Sequence, residues 1–277
     1  MMLRGRNGCL LAFIDSSLLC RYNFAMLNFL SNVITLSCCL LTVTIPAILN
    51  IIAYPISKRW CMAISHYIRS VCAHRVFVIF KTYKHFNFVG YRENLEKLPE
   101  QFIIISNHQS LIDIALYMNF LRDKELRFVA KDNLSRHVPL VSEMLRAEEH
   151  CMIPRHGKPS VAMGTLDKFG ARVMARKQIP VIFPEGTRSK DGSLGTFYTA
   201  GFRRLTEAAP LPVAVCALDG GYKINNLKTI FKNLHNGYYR VKVLAVFPPP
   251  HGKEEQVAQL EKGRELIQAQ LDEWRRA

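Results

Sequence analysis

A chain of 277 residues with a formal charge of +15 is long enough for one sizeable core plus an addition, and basic enough to need an anionic partner. Lys and Arg are scattered and no zinc-finger, RNP or basic-zipper pattern occurs, so no nucleic acid is expected as a partner. The eight cysteines show no C-x-x-C and no Cys/His ligand spacing, which argues against a disulfide framework and against a metal site.

In chain order, Arg4 and Arg6 precede the short apolar Cys9–Ile14, a faint signal-peptide outline that Asp15 interrupts. Met26 is a second candidate start, which makes residues 1–25 a dispensable extension on one reading. Tyr22–Ser57 carries no charge and is bounded by Arg21 and Lys58-Arg59. It exceeds the roughly 20 residues that one spanning helix needs. Pro46 near its middle is expected to kink or break a helix. With both flanks basic, a hairpin or re-entrant pair with both ends cytoplasmic fits better than a single crossing. Trp60–Lys81 mixes aromatic, apolar and basic residues as an interfacial helix does, or equally as a helix packed on a sheet. The expected division is a membrane-associated helical region, 1–82, and an α/β domain, 83–277.

Within that domain, strands are expected at Phe86–Tyr91, Phe102–Ile105, Leu126–Ala130, Cys151–Ile153, Ile179–Phe183, Leu211–Leu218 and Tyr239–Phe247. Helices are expected at 111–121, at 160–177 with Ser160 as N-cap, at 197–209 before Pro210, and at 253–274. Lys131–Leu134 reads as a turn into a short segment ending near Pro139. The alternation predicts an α/β fold with a mostly parallel or mixed sheet flanked by helices.

Two strand ends carry the chemistry. Phe102–Ile105 empties into Asn107-His108-Gln109-Ser110, and Ser110 with Asp113 has capping-box spacing for the next helix. His108 and Asp113 are five apart, so on a helix they would diverge by roughly 140°. They meet only if His108 precedes the helix and folds back over its first turn, giving an imidazole oriented by a carboxylate. Ile179–Phe183 ends in Pro184-Glu185-Gly186-Thr187-Arg188-Ser189. There Gly186 permits close backbone approach, Thr187 and Ser189 offer hydroxyls, and Arg188 offers a fork that fits phosphate. Other readings remain for each. His108 can be a structural loop histidine, Asp113 a capping carboxylate alone, and Glu185 a structural partner of Arg188. Without G-x-S-x-G, Walker or G-x-G-x-x-G motifs, hydrolase, NTPase and dehydrogenase readings are weakened.

In that order and spacing, N-H-x-S-x-x-D at 107–113 and F-P-E-G-T-R-S at 183–189 resemble the glycerolipid acyltransferases, specifically the 1-acyl-sn-glycerol-3-phosphate (lysophosphatidate) acyltransferases. The resemblance implies transfer of a fatty acyl group from an acyl thioester to the free sn-2 hydroxyl of lysophosphatidate, forming phosphatidate. His108 would be general base, oriented by Asp113. Glu185, Gly186, Thr187 and Arg188 would hold the acceptor, with Asn107 fixing the His108 loop. Arg155 corresponds by position to a phosphate-facing arginine, although Ala147-Glu148-Glu149-His150 replaces the family's glycine-rich lead-in. The donor is acyl carrier protein or acyl-coenzyme A, the acceptor a lysophospholipid, and no cofactor is needed because the thioester is a co-substrate. Direct transfer leaves Ser110 and Cys151 without a nucleophilic role. The expected place is a membrane, with the active site facing the cytoplasm. Competing readings are the same chemistry on glycerol-3-phosphate, another lysophospholipid or a lyso-aminolipid, and a catalytically silent lipid-binding scaffold.

Overall fold

The computed structural model describes residues 16–132, 142–154 and 158–276. Arg155 and the segment expected to end near Pro139 lie outside the described residues.

The N-terminal apolar run is one helix, α1 (Ser16–Ile56), with Pro46 and Pro55 inside it. The expected break at Pro46 does not occur, and the reversal falls at Ser57. Helix α2 (Lys58–Tyr67) starts there, and Ser57 Oγ accepts from Trp60 N. The chain passes through a π-helical stretch (Ile68–Cys72) into α3 (Ala73–Lys84) and runs back along α1. Ala47 packs with Ile68 and Cys72, and Ala53 with Cys61. Before Pro46, Cys39 joins the core of the domain, so packing on both sides of the proline holds the helix through the one backbone hydrogen bond that it removes. The other side of α1 is an apolar surface without a partner among the described residues, with Phe24, Leu27, Leu30, Leu41, Ile45 and Ile52 exposed.

Along α2 and α3 some aromatic side chains face outward and others pack inward. Trp60, Tyr67 and Tyr83 are exposed, while Phe77 and Phe80 join the core of the domain. Arg69, expected at head-group level, is instead buried. It bonds Glu125 at 2.6 Å and faces Glu148 at 3.5 Å.

The domain is built on a seven-stranded mixed sheet. Its strands are β1 (Asn87–Gly90), β2 (Ile103–Ser106), β3 (Leu126–Lys131), β4 (Cys151–Ile153), β5 (Ile179–Ile182), β6 (Val213–Asp219) and β7 (Tyr238–Phe247). They lie in the order β1-β7-β6-β2-β5-β3-β4, with β6–β7 the antiparallel pairing. Strand β2 is central, and its side chains alternate between two cores. Phe102 and Ile104 face the core that includes α3 and α4 (Ile112–Phe120). Ile103 and Ile105 face the core built with α6 (Pro159–Ala175), α7 (Thr199–Ala208) and α9 (Gly252–Arg276). All four are fully buried, and truncating any of the isoleucines to alanine would cost about 2–5 kcal/mol. Two short helices, α5 (Ser142–Ala147) and α8 (Leu227–Asn233), cover the flanks. The expected N-cap of α6 shifts by two: Lys158 caps, Pro159 takes the first turn, and Ser160 is already helical. Strands β2, β3, β4, β5 and β6 run parallel, so their C-terminal ends share one edge, where open α/β sheets place ligands.

Candidate active site

At that edge β2 ends and the chain folds back over the start of α4. His108 Nδ1 lies 2.6 Å from Asp113 Oδ2, so the two residues meet in the arrangement the sequence required. The same oxygen accepts from Gln109 N at 2.7 Å and Ser110 N at 3.1 Å. Asp113 thus makes its half of the capping box, whereas Ser110 Oγ accepts from Ile112 N rather than Asp113 N. With Nδ1 occupied, Nε2 of His108 is the nitrogen left for chemistry. The ring stacks on Phe183 at 4.1 Å between centroids, which fixes its plane, and its side chain keeps 15% exposure.

Asn107 is buried, and its amide donates to Leu218 O and accepts from Leu218 N, at 2.8 and 2.9 Å. It continues the β2–β6 ladder by one side chain, a placement that suits fixing the loop. Glu185 is also buried, and its bonds go to backbone rather than to Arg188. Its Oε1 accepts from His108 N at 2.7 Å and its Oε2 from Gly195 N at 2.8 Å. Burial pushes its carboxyl above the usual range even though the two N–H donors pull it down. Ser189 N donates to His108 O at 2.8 Å, so both motif loops are stitched through the backbone of one histidine.

Gly186 sits at φ 63° and closes a turn with its N–H on Phe183 O, a conformation that favours glycine. Beyond it Thr187 and Arg188 are exposed, and Arg188 has no ion pair among the described residues. His108, Gly186, Thr187 and Arg188 border a cavity of about 430 Å³ whose walls include Leu111, Ile114, Val129, Ile153 and Ile182. Two further lining residues were not singled out from sequence: Lys131 at the end of β3, and Tyr198, exposed before α7. Lys131 could have been found from its place, since it closes a strand at the edge that carries His108. An imidazole with one free nitrogen, a carboxylate behind it, an apolar cleft beside it and two cations at the rim can deprotonate a hydroxyl on a lipid bearing an anionic head.

Residues 91–219, which hold both motifs, match the acyltransferase family model. This stretch is an acyltransferase-family domain. The chain is 35% identical over 118 residues to a 1-acyl-sn-glycerol-3-phosphate acyltransferase of Cocos nucifera, covering 43% of this chain and 37% of that protein. Proteins of the same name from Helicobacter pylori and Escherichia coli are 29% and 27% identical. These matches cover 50% and 57% of this chain, and 58% and 61% of those proteins. The chain therefore spans only part of the length of the curated relatives it matches. The fold is that of the crystal structure of the 1-acyl-sn-glycerophosphate acyltransferase PlsC from Thermotoga maritima. The TM-score is 0.62 at 18% identity, over 92% of this chain and 98% of that one.

Proposed function

We propose that this acyltransferase-family chain transfers a fatty acyl group from an acyl thioester to the free sn-2 hydroxyl of lysophosphatidate, giving phosphatidate. The observation that carries the reading is His108, held at 2.6 Å by Asp113 with its other nitrogen free, at the mouth of an apolar cleft rimmed by Arg188 and Lys131. His108 Nε2 takes the hydroxyl proton as the oxygen attacks the thioester carbonyl carbon. The carbon–sulfur bond breaks as the tetrahedral intermediate collapses, and the departing thiolate takes the proton back from the imidazolium. Asp113 stabilises that imidazolium and keeps the Nδ1 proton in place. No acyl-enzyme is needed because the donor is already activated. Arg188, Lys131 and Thr187 take the phosphate, and the apolar wall takes acyl chain. Glu185 holds the His108 loop rather than the acceptor. The thioester, on acyl carrier protein or coenzyme A, is a co-substrate.

The membrane contact is the exposed side of α1, long and apolar enough to cross a bilayer by length and composition. Helix α1 is fastened to the domain at two levels. Phe29 stacks on Phe231 of α8 and Asn32 donates to Phe231 O, while near the C-terminal end Tyr54 lies under Arg146 of α5, and Lys58 at the start of α2 meets Glu149. A helix held at two levels in this way lies along the domain between them, bedding its free side into one face of the bilayer.

The test is an acyl-transfer assay on detergent-solubilised protein, wild type beside His108→Ala, with lysophosphatidate and glycerol-3-phosphate as rival acceptors. Phosphatidate from the wild type alone is expected, with turnover about 10²–10⁴-fold lower in the variant. Activity on glycerol-3-phosphate alone would replace the acceptor, and equal activity in both proteins would overturn the base.

A further inference from the structure

Asp113 is bonded on one side only. Its Oδ2 accepts three hydrogen bonds, whereas its Oδ1 is buried with no partner among the described residues. A carboxylate oxygen sealed from water normally has a donor, since an uncompensated buried acceptor is costly. Tyr239, on β7, shows the complementary fault. Its side chain is fully buried and its hydroxyl also lacks a partner. The two oxygens face one point beside the backbone of Gly221. A Cβ on Gly221 would lie 2.2 Å from the Tyr239 hydroxyl and 3.0 Å from Asp113 Oδ1. Only glycine leaves both side chains room to close on that spot. The neighbouring donors are spent elsewhere: Tyr117 donates to Ser106 Oγ at 2.6 Å, and Gln109 reaches Asp219 at 3.4 Å.

We infer that Tyr239 is a positioning residue for the acyl transfer, its hydroxyl donating to Asp113 Oδ1 directly or across one water molecule. The inference rests on His108 being the base. Tyr239 touches no substrate and acts through Asp113. Tying Oδ1 fixes the rotation of the carboxylate, so Oδ2 stays on His108 Nδ1 when the ring gains its proton. The donated bond also draws charge from Asp113 and tempers its pull on that ring. The other ionisable groups that feel Asp113 are Glu185 from the loop after β5 and Tyr117 from α4. Asp219 of β6 and Arg275 of α9 stand one residue further, through Gln109.

Tyr239→Phe removes one oxygen and keeps the ring in the core. In the full chain, kcat for acyl transfer should fall about tenfold with KM unchanged. The acid limb of kcat/KM should move to higher pH, because Asp113 without its donor holds the imidazolium more tightly. In protein labelled with [15N]histidine, the His108 Nδ1 proton resonance should move downfield. A folded Tyr239→Phe protein with wild-type kcat, an unmoved acid limb and an unmoved resonance overturns the inference. If Tyr239→Phe melts below the assay temperature, 3-fluorotyrosine at position 239 retains the ring and strengthens the donor. The acid limb should then move to lower pH, and an unmoved limb overturns the inference. His108→Ala run in parallel separates the two levels. An active His108→Ala protein sinks the base itself, whereas an inactive one beside a wild-type-like Tyr239→Phe sinks only the role of Tyr239.

Discussion

Glu185 Oε1 accepts the backbone N–H of His108 at 2.7 Å, so the carboxylate of the second motif carries the main chain of the first. Its other oxygen carries Gly195 N, and the histidine carbonyl is returned to Ser189 N. The histidine loop is thus set from both sides of its own peptide unit. Glu185→Gln puts an amide donor against one of two N–H groups. It should lower stability by about 1–3 kcal/mol and kcat more than KM. Thermal melts and initial-rate kinetics check this, and unchanged kcat would mean the loop holds its shape without Glu185.

Lys131 lines the cleft from the end of β3 and Arg188 from the loop after β5, and both have separable effects from His108. Arg188→Ala should raise KM for lysophosphatidate about tenfold, one charge-assisted hydrogen bond, with little change in kcat. Lys131→Ala should do the same to a smaller degree. Lower turnover at an unchanged KM would move Arg188 out of the phosphate cradle.

Arg69 joins the helical layer to the domain through buried charge. Beside Glu125 and Glu148 it also donates to Lys124 O, and it lies against His66. Arg69→Met leaves Glu148 buried without this cation and should destabilise the fold by about 3–5 kcal/mol, read by denaturant titration. Arg69→Met with Glu148→Gln should recover part of that loss, since the orphaned charge is gone.

Acid stability has an identifiable sensor. His150 Nδ1 accepts from Phe128 N at 2.9 Å, which requires the neutral ring, and burial holds the His150 pKa below its ordinary value. For Glu148, burial pushes upward but is outweighed by the His150 ring 3.4 Å away and the nearby arginines, so its carboxyl sits below the usual range. Both folded-state values are depressed. Their stabilising contribution is therefore present above the unfolded values and lost as pH falls, starting for His150 just below about 6.5. Tm of the wild type should drop in that window. In His150→Asn, which keeps an acceptor but does not titrate, the drop should be delayed to the carboxylate range. Glu185, raised by burial, has the opposite sign and cancels between the two proteins.

The sequence by itself determined the elements and the motifs. The buried strands around Ile104, Val181 and Val215, and the helix stripe Leu260–Ile267–Leu271–Trp274, follow from local apolar periodicity. The demand that His108 lie before its helix follows from the 3.6-residue turn. Partners distant in the chain were decided only by the tertiary structure. Glu185 reads from sequence as an acceptor contact or a partner of Arg188, and its two backbone donors lie in segments that no local pattern connects. The Asn107 amide meets Leu218 because β6 pairs with β2. Arg69 went inward because Glu125 and Glu148 wait there, and α1 stayed whole through Pro46 because α2 and α3 pack along it. Spacing along the chain fixes which groups can share a turn or a face. Which buried polar atoms satisfy one another depends on elements that the fold brings together from separate parts of the chain.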